Sequence, residues 1–235
     1  MKKMTKFFAL ALLAGAMVSC STEDIAPSTQ NDKVAVQFTG GISVNTRAAG
    51  VAWADGDRIG IFMTEAGKTL SADVIKEGVD NVCYQSNGSI AFSPVSGGKT
   101  VFFPIDGDVD FYSYYPQTTV NDYKVALDVT DQTKQETIDF MYAKTEGCNK
   151  ATPQVDLKFF HKLSNLILDV QPGNGLTQED LKKMTVTVKG QNTKATFNLV
   201  DGTISGEETP ADITMKTTEA GKLYEAILLP TCLLY

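Results

Sequence analysis

The sequence predicts an all-β sandwich protein, and three observations carry that expectation. Apolar and polar residues alternate with period two along many short stretches. These stretches recur at a spacing of roughly ten residues, separated by Gly, Asn, Asp and Pro. Only one segment, at Thr177, has the marks of a helix start. Period-two patterning places alternate side chains on opposite faces of a strand, and regular turn signals stack such strands into a sandwich.

The chain begins with a segment of another kind. Lys2, Lys3 and Lys6 precede an apolar run from Phe7 to Val18, too short to span a bilayer and of the length of a secretory signal core. It ends in Ala16-Met17-Val18-Ser19-Cys20, which looks like a bacterial lipobox, with Cys20 as the lipid acceptor. Glu23 and Asp24 resemble the surface-export tag of Bacteroidetes lipoproteins. Residues 1–19 are therefore expected to be a lipoprotein signal peptide, and 20–33 a polar tether with no periodicity.

Strands follow at once. Val34, Val36 and Phe38 alternate, Gly40-Gly41 is expected to interrupt them, and Ile42 to Thr46 resume up to Arg47. Trp53 precedes the turn Ala54 to Asp57, and Ile59, Ile61 and Met63 mark one face of a strand from Arg58 to Met63. Val82–Gln85 and Ser89–Phe92 flank Ser86-Asn87-Gly88, a strong hairpin signal. Lys99–Phe103, Val109–Tyr115, Tyr123–Val129 and Ile138–Ala143 read as further strands. Glu146–Gln154, with Gly147, Asn149 and Pro153, reads as an interdomain linker, so 34–153 is assigned to a first sandwich and 154–235 to a second. In the second, Val155–Phe160 and Leu163–Val170 form one apolar strand kinked at His161-Lys162. Thr177 caps a helix of one or two turns, with Glu179 and Asp180 against its positive end. Strands at Thr185–Lys189, Lys194–Leu199, Asp212–Lys216 and Leu223–Leu229 complete the chain.

Composition narrows the function. A net charge of −7 and the lack of a basic cluster argue against a nucleic-acid partner. With Cys20 committed to lipid, Cys83, Cys148 and Cys232 have neither disulfide nor zinc spacing. Asp106, Asp108 and Asp110 begin like an EF-hand loop, but Phe111 and Gln117 occupy the positions that need Gly and Glu. His161, the lone histidine, lies beside an apolar strand and reads as structural. Tyr112, Tyr114 and Tyr115 read as sandwich core in preference to a sugar-stacking platform. No catalytic residue, cofactor site or metal site is expected.

Several separated phrases together resemble the fimbrillins, the Mfa-like and FimA-like subunits of type V pili. They are Trp53–Phe62 (WADGDRIGIF), Asp110–Pro116 (DFYSYYP), Asp139–Ala143 (DFMYA), Leu157–Val170 (LKFFHKLSNLILDV), Lys194–Leu199 before Asp201-Gly202, and Glu225–Pro230 (EAILLP). They cover nearly everything after Lys33. The resemblance implies two tandem transthyretin-like β-sandwiches, export as a lipoprotein to the outer membrane, and polymerisation on the cell surface. It also implies proteolytic processing after Arg47, before Ala48, which removes the strand bearing Val34, Val36, Phe38, Ile42 and Val44. Another subunit's strand would then add into the exposed groove. The expected partners are other pilin subunits by donor-strand exchange, the outer membrane through the lipid on Cys20, and a host or bacterial surface ligand.

The 154–235 stretch supplies fewer strands than the roughly seven of a full sandwich, so the second domain is expected to be incomplete and unable to donate a strand. The other expectation is a monomeric surface lipoprotein that binds glycan or host protein through its loops.

Overall fold

The computed structural model describes residues 33–43 and 52–230. Cys20, Val44, Arg47, Ala48 and Cys232 lie outside the described residues. Among those described, no helix is long and apolar enough to cross a membrane.

Seven strands close into a barrel in the order β1 (Gln37–Ser43), β4 (Ala91–Pro94), β3 (Val82–Asn87), β2 (Asp55–Glu65), β5 (Val109–Tyr115), β7 (Met141–Cys148) and β8 (Gln154–His161). All neighbours are antiparallel except β1 and β8, whose parallel pairing completes the closure. Two three-stranded sheets accompany the barrel. One is ordered β11 (Thr203–Thr214), β10 (Thr187–Asn198), β6 (Lys124–Asp128); the other β12 (Lys216–Glu219), β13 (Leu223–Leu228), β9 (Ser164–Asp169).

The alternation in the sequence explains the two cores. On β2, Ile59, Ile61 and Met63 face the barrel interior, where they meet Phe38, Tyr84, Phe92, Val109, Phe111 and Phe159. Phe62, one step out of phase, belongs to a second core. On β5 the same split sends Val109, Phe111 and Tyr115 inward, and Tyr112 and Tyr114 into the second core with Val125, Phe197 and Tyr224. Every residue of β5 is buried, so this strand is sealed on both faces. The three tyrosines are core, as the sequence suggested.

Asp110, 1% exposed, sits on β5 with no cation among its hydrogen-bond partners. Its two oxygens accept the backbone N–H groups of Gly67 and Gly147, both at 2.8 Å. A buried carboxylate satisfied in this way closes two turns. Asp108 accepts from the Asn149 amide at 3.0 Å. Asp108 and Asp110 are therefore turn fasteners. The helix cap is also as expected: α1 is a single turn, Gln178–Leu181, and Thr177 and Asp180 form a reciprocal capping box.

Several elements differ from the sequence expectation, each for a long-range reason. Gly40 and Gly41 do not interrupt a strand but lie inside β1. Lys99–Phe103 forms no extended strand; it contributes an isolated bridge between Phe102 and Ala35. Glu146–Cys148 continue β7, so the expected linker is mostly the turn between two barrel strands. Gln154–His161, expected to open the second sandwich, pairs with β7 and β1 in the barrel, whereas Lys124–Asp128, expected in the first, pairs with β10. The kink at His161-Lys162 is a change of sheet: β8 belongs to the barrel and β9 to the sheet of β13. Thr185–Lys189 and Lys194–Leu199 merge into β10, with register shifts at Val188/Gln191 and Lys194/Thr196.

Candidate functional site

The feature that most distinguishes this barrel is the way it holds its first strand. β1 has strands on both sides, antiparallel β4 through Phe38 opposite Phe92 and parallel β8 from Gln37 opposite Gln154 to Ser43 opposite Phe160. The backbone just before it is also tied down. The Val36 N–H donates to Val101 O at 3.0 Å, the Gln37 N–H to Pro153 O at 2.9 Å, and the Phe103 N–H to Val34 O at 2.9 Å.

Side chains alternate as the sequence dictates. Val36 and Phe38 are buried in the barrel, while Val34 and Ile42 are partly buried at the two ends. Phe38 is the anchor: its ring meets Tyr84 and Phe111 edge-on, each with centroids 5.1 Å apart. Gly40 occupies the next inward position. The Trp53 indole N–H donates to Gly40 O at 2.7 Å, and the Gly40 N–H donates to Ile90 O at 2.7 Å. The Trp53 ring is in turn packed edge-on by Phe92, Phe159 and Tyr115 at 5.0, 5.1 and 5.4 Å. The sequence reading takes Gly40 as a strand break and does not foresee the Trp53 cage. Glycine inside an alternating pattern was the available signal, since it marks a bulge or a close approach as readily as a break.

Beside the end of β1, a cavity of about 190 Å³ is lined by Ile42, Trp53, Tyr115, Asp139, Met141 and His161. His161 Nδ1 lies 2.9 Å from Asp139 Oδ1, and both side chains are largely buried. The pair joins the end of β8 to the segment before β7, a structural role. The Tyr115 hydroxyl lies within hydrogen-bond distance of Glu136 O and Asp57 Oδ1, at 3.0 and 3.1 Å. Burial, reinforced by the Asp57 carboxylate, pushes this phenol well above its ordinary range. Burial likewise raises the Cys83 and Cys148 thiols, so neither has the thiolate character of a reactive cysteine. Among the described residues no group of three His, Cys, Asp or Glu side chains is placed to hold a metal ion.

What this arrangement can do chemically is hold an extended segment. Ladder hydrogen bonds on both sides supply affinity for any backbone, and the inward pockets select side chains. β1 is described to Ser43, and Arg47 follows four residues later in the sequence.

Comparisons with known proteins show the family. A profile of the fimbrillin-like family matches residues 46–232. The chain is similar to a candidate fimbrium subunit of Bacteroides uniformis, at 36% identity over 94% of this chain and 73% of the relative. Two crystal structures of candidate cell adhesion proteins are also similar. That from Bacteroides uniformis is 35% identical with a TM-score of 0.70, over 84% of this chain and 76% of the other. That from Bacteroides ovatus is 27% identical with a TM-score of 0.66, over 85% and 79%.

Proposed function

Because the chain belongs to the fimbrillin-like family, we propose that it is a fimbrial structural subunit or accessory adhesin, exported as a lipoprotein, cut after Arg47 and assembled by strand exchange. The observation that carries this reading is the placement of β1. It lies upstream of Arg47, fills a slot flanked by β4 and β8, and contributes Val36 and Phe38 to the barrel core. Cutting after Arg47 would leave it held by non-covalent contacts alone. A strand from another subunit could then compete for the same ladder bonds and apolar pockets. The tandem sandwiches of the family are proposed here as units built on the two cores, with a surface ligand as a further partner and the outer membrane reached through the lipid on Cys20.

Two experiments test the reading. Brief digestion of the folded chain with a trypsin-like protease is expected to yield a new N-terminus at Ala48 first, and the cut chain is expected to exchange β1 for a competing strand supplied in excess as a peptide of residues 34–43. Cutting elsewhere first, or a cut chain that takes up none of the competing strand, would overturn the strand-exchange claim. Separately, Cys20→Ser is expected to move the protein from the membrane to the soluble fraction. A variant that stays fully membrane-bound would refute lipid anchoring there. A second reading is a monomeric surface lipoprotein that binds glycan or host protein through its loops; an adhesive role fits the cell-adhesion names of the similar structures. Electron microscopy of cells with and without the chain separates the two.

A further inference from the structure

The slot that holds β1 contains a steric filter. A Cβ built on Gly40 would lie 2.7 Å from Phe92 Cε2, 3.3 Å from Phe159 Cε2 and 3.4 Å from Trp53 Nε1. The first of these distances is shorter than real Cβ contacts allow. Nor can the ring easily yield, because Phe92 is 5% exposed and packed edge-on against Trp53, which Phe159 and Tyr115 hold from other sides. The backbone cannot retreat either, since Gly40 is bonded through its carbonyl to the indole and through its N–H to Ile90. Gly40 is not among the residues with positive φ, so its small size is what the site requires, not its conformational freedom. Among the described residues, nothing lies within 4 Å of a Cβ built on the adjacent Gly41.

We infer that any strand occupying this slot, a partner subunit's included, must present a residue without a Cβ at the position of Gly40, two residues after a large apolar side chain at the position of Phe38. The inference rests on the strand-exchange reading for its partner, and on the Trp53–Phe92–Phe159 cage for its selectivity. The complementary segment is thus extended, apolar at alternate positions, and interrupted by glycine at the third inward site: aliphatic, aromatic, glycine, aliphatic, as in Val36, Phe38, Gly40 and Ile42. An otherwise apolar donor strand with alanine or valine there would be rejected by overpacking.

The test uses the full chain cut after Arg47 and fluorescent peptides of residues 34–43 in three forms: unchanged, Gly40→Ala and Gly41→Ala. Capture is followed by anisotropy and by co-elution with the protein. The unchanged and Gly41→Ala peptides should be captured comparably, and the Gly40→Ala peptide at least about tenfold more weakly. Protein carrying Phe92→Leu should recover much of the Gly40→Ala binding. Equal capture of all three peptides would overturn the filter while leaving strand exchange intact. The uncut chain supplies an independent reading, in which Gly40→Ala should lower the melting midpoint and Gly41→Ala should not. If the melts differ in this way but no peptide is captured, strand exchange has failed and the partner inference falls with it. If the two uncut variants melt alike, the cage itself is refuted.

Discussion

Replacing Phe38 by alanine is expected to destabilise the uncut protein by about 3–5 kcal/mol, the range seen when a fully buried phenylalanine is truncated. Phe38 is 2% exposed, and its ring is set edge-on between Tyr84 and Phe111, themselves wholly enclosed. Neighbouring rings locked into such contacts cannot collapse into the void, so the cavity cost adds to the lost transfer energy. The lone tryptophan, Trp53, lies in the same core and reports barrel unfolding by its fluorescence. Denaturant titration followed at Trp53 therefore measures the effect directly. The contrast within the strand is diagnostic: Val34→Ala and Ile42→Ala, at its partly buried ends, should each cost about 1 kcal/mol. A Phe38→Ala loss no larger than these would mean that β1 is held by its ladder alone and has no anchor. In a chain cut after Arg47, the same deficit corresponds to retention weakened by roughly a hundredfold to several thousandfold.

Phe38 was legible in the sequence because the core it enters obeys simple alternation. The same rule located β2, β3, β5 and the hairpin at Asn87-Gly88, where side-chain period and turn chemistry agree. It failed where a strand's neighbours, not its own pattern, decide the outcome. Glycine breaks the hydrophobic period, so Gly40 read as an end of strand; the aromatic cage that makes its missing Cβ necessary comes from Trp53, Phe92 and Phe159, remote in sequence. Likewise Val101 and Phe103 alternate well and enter the barrel core, but their backbone finds no ladder beyond the few bonds to the segment preceding β1. Which sheet receives β6 or β8 is a matter of long-range pairing, and no local signal distinguishes the two answers. The site was legible in part: the apolar strand before Arg47 was evident, whereas the selectivity of its slot was not.

Gln132 shows the same gap in the opposite direction, and its replacement is expected to have the largest effect outside the barrel. In sequence it stands in a polar stretch, Asp131-Gln132-Thr133, that suggests only a solvated loop. In the structure it is 4% exposed, and its carboxamide pairs with the backbone of β13. Gln132 Nε2 donates to Ile227 O at 2.9 Å and to Val129 O at 2.7 Å, while Oε1 accepts the Ile227 N–H at 2.8 Å. The ladder between β12 and β13 stops at Lys216 opposite Glu225. Beyond that point the side-chain amide does for Ile227 what a peptide unit of an adjacent strand would do. Gln132→Leu keeps the volume but leaves a buried N–H and two carbonyls without partners, at about 1–3 kcal/mol each when uncompensated. A loss of about 3 kcal/mol or more is therefore expected, with faster amide hydrogen exchange at Ile227 than anywhere in β5. The Gln135→Ala variant, which removes a single bond to Gln132 Oε1 at 3.2 Å, should cost no more than about 1 kcal/mol. Equal midpoints for Gln132→Leu and the parent protein would show that β13 has another partner at Ile227, and that the amide is dispensable to the second core.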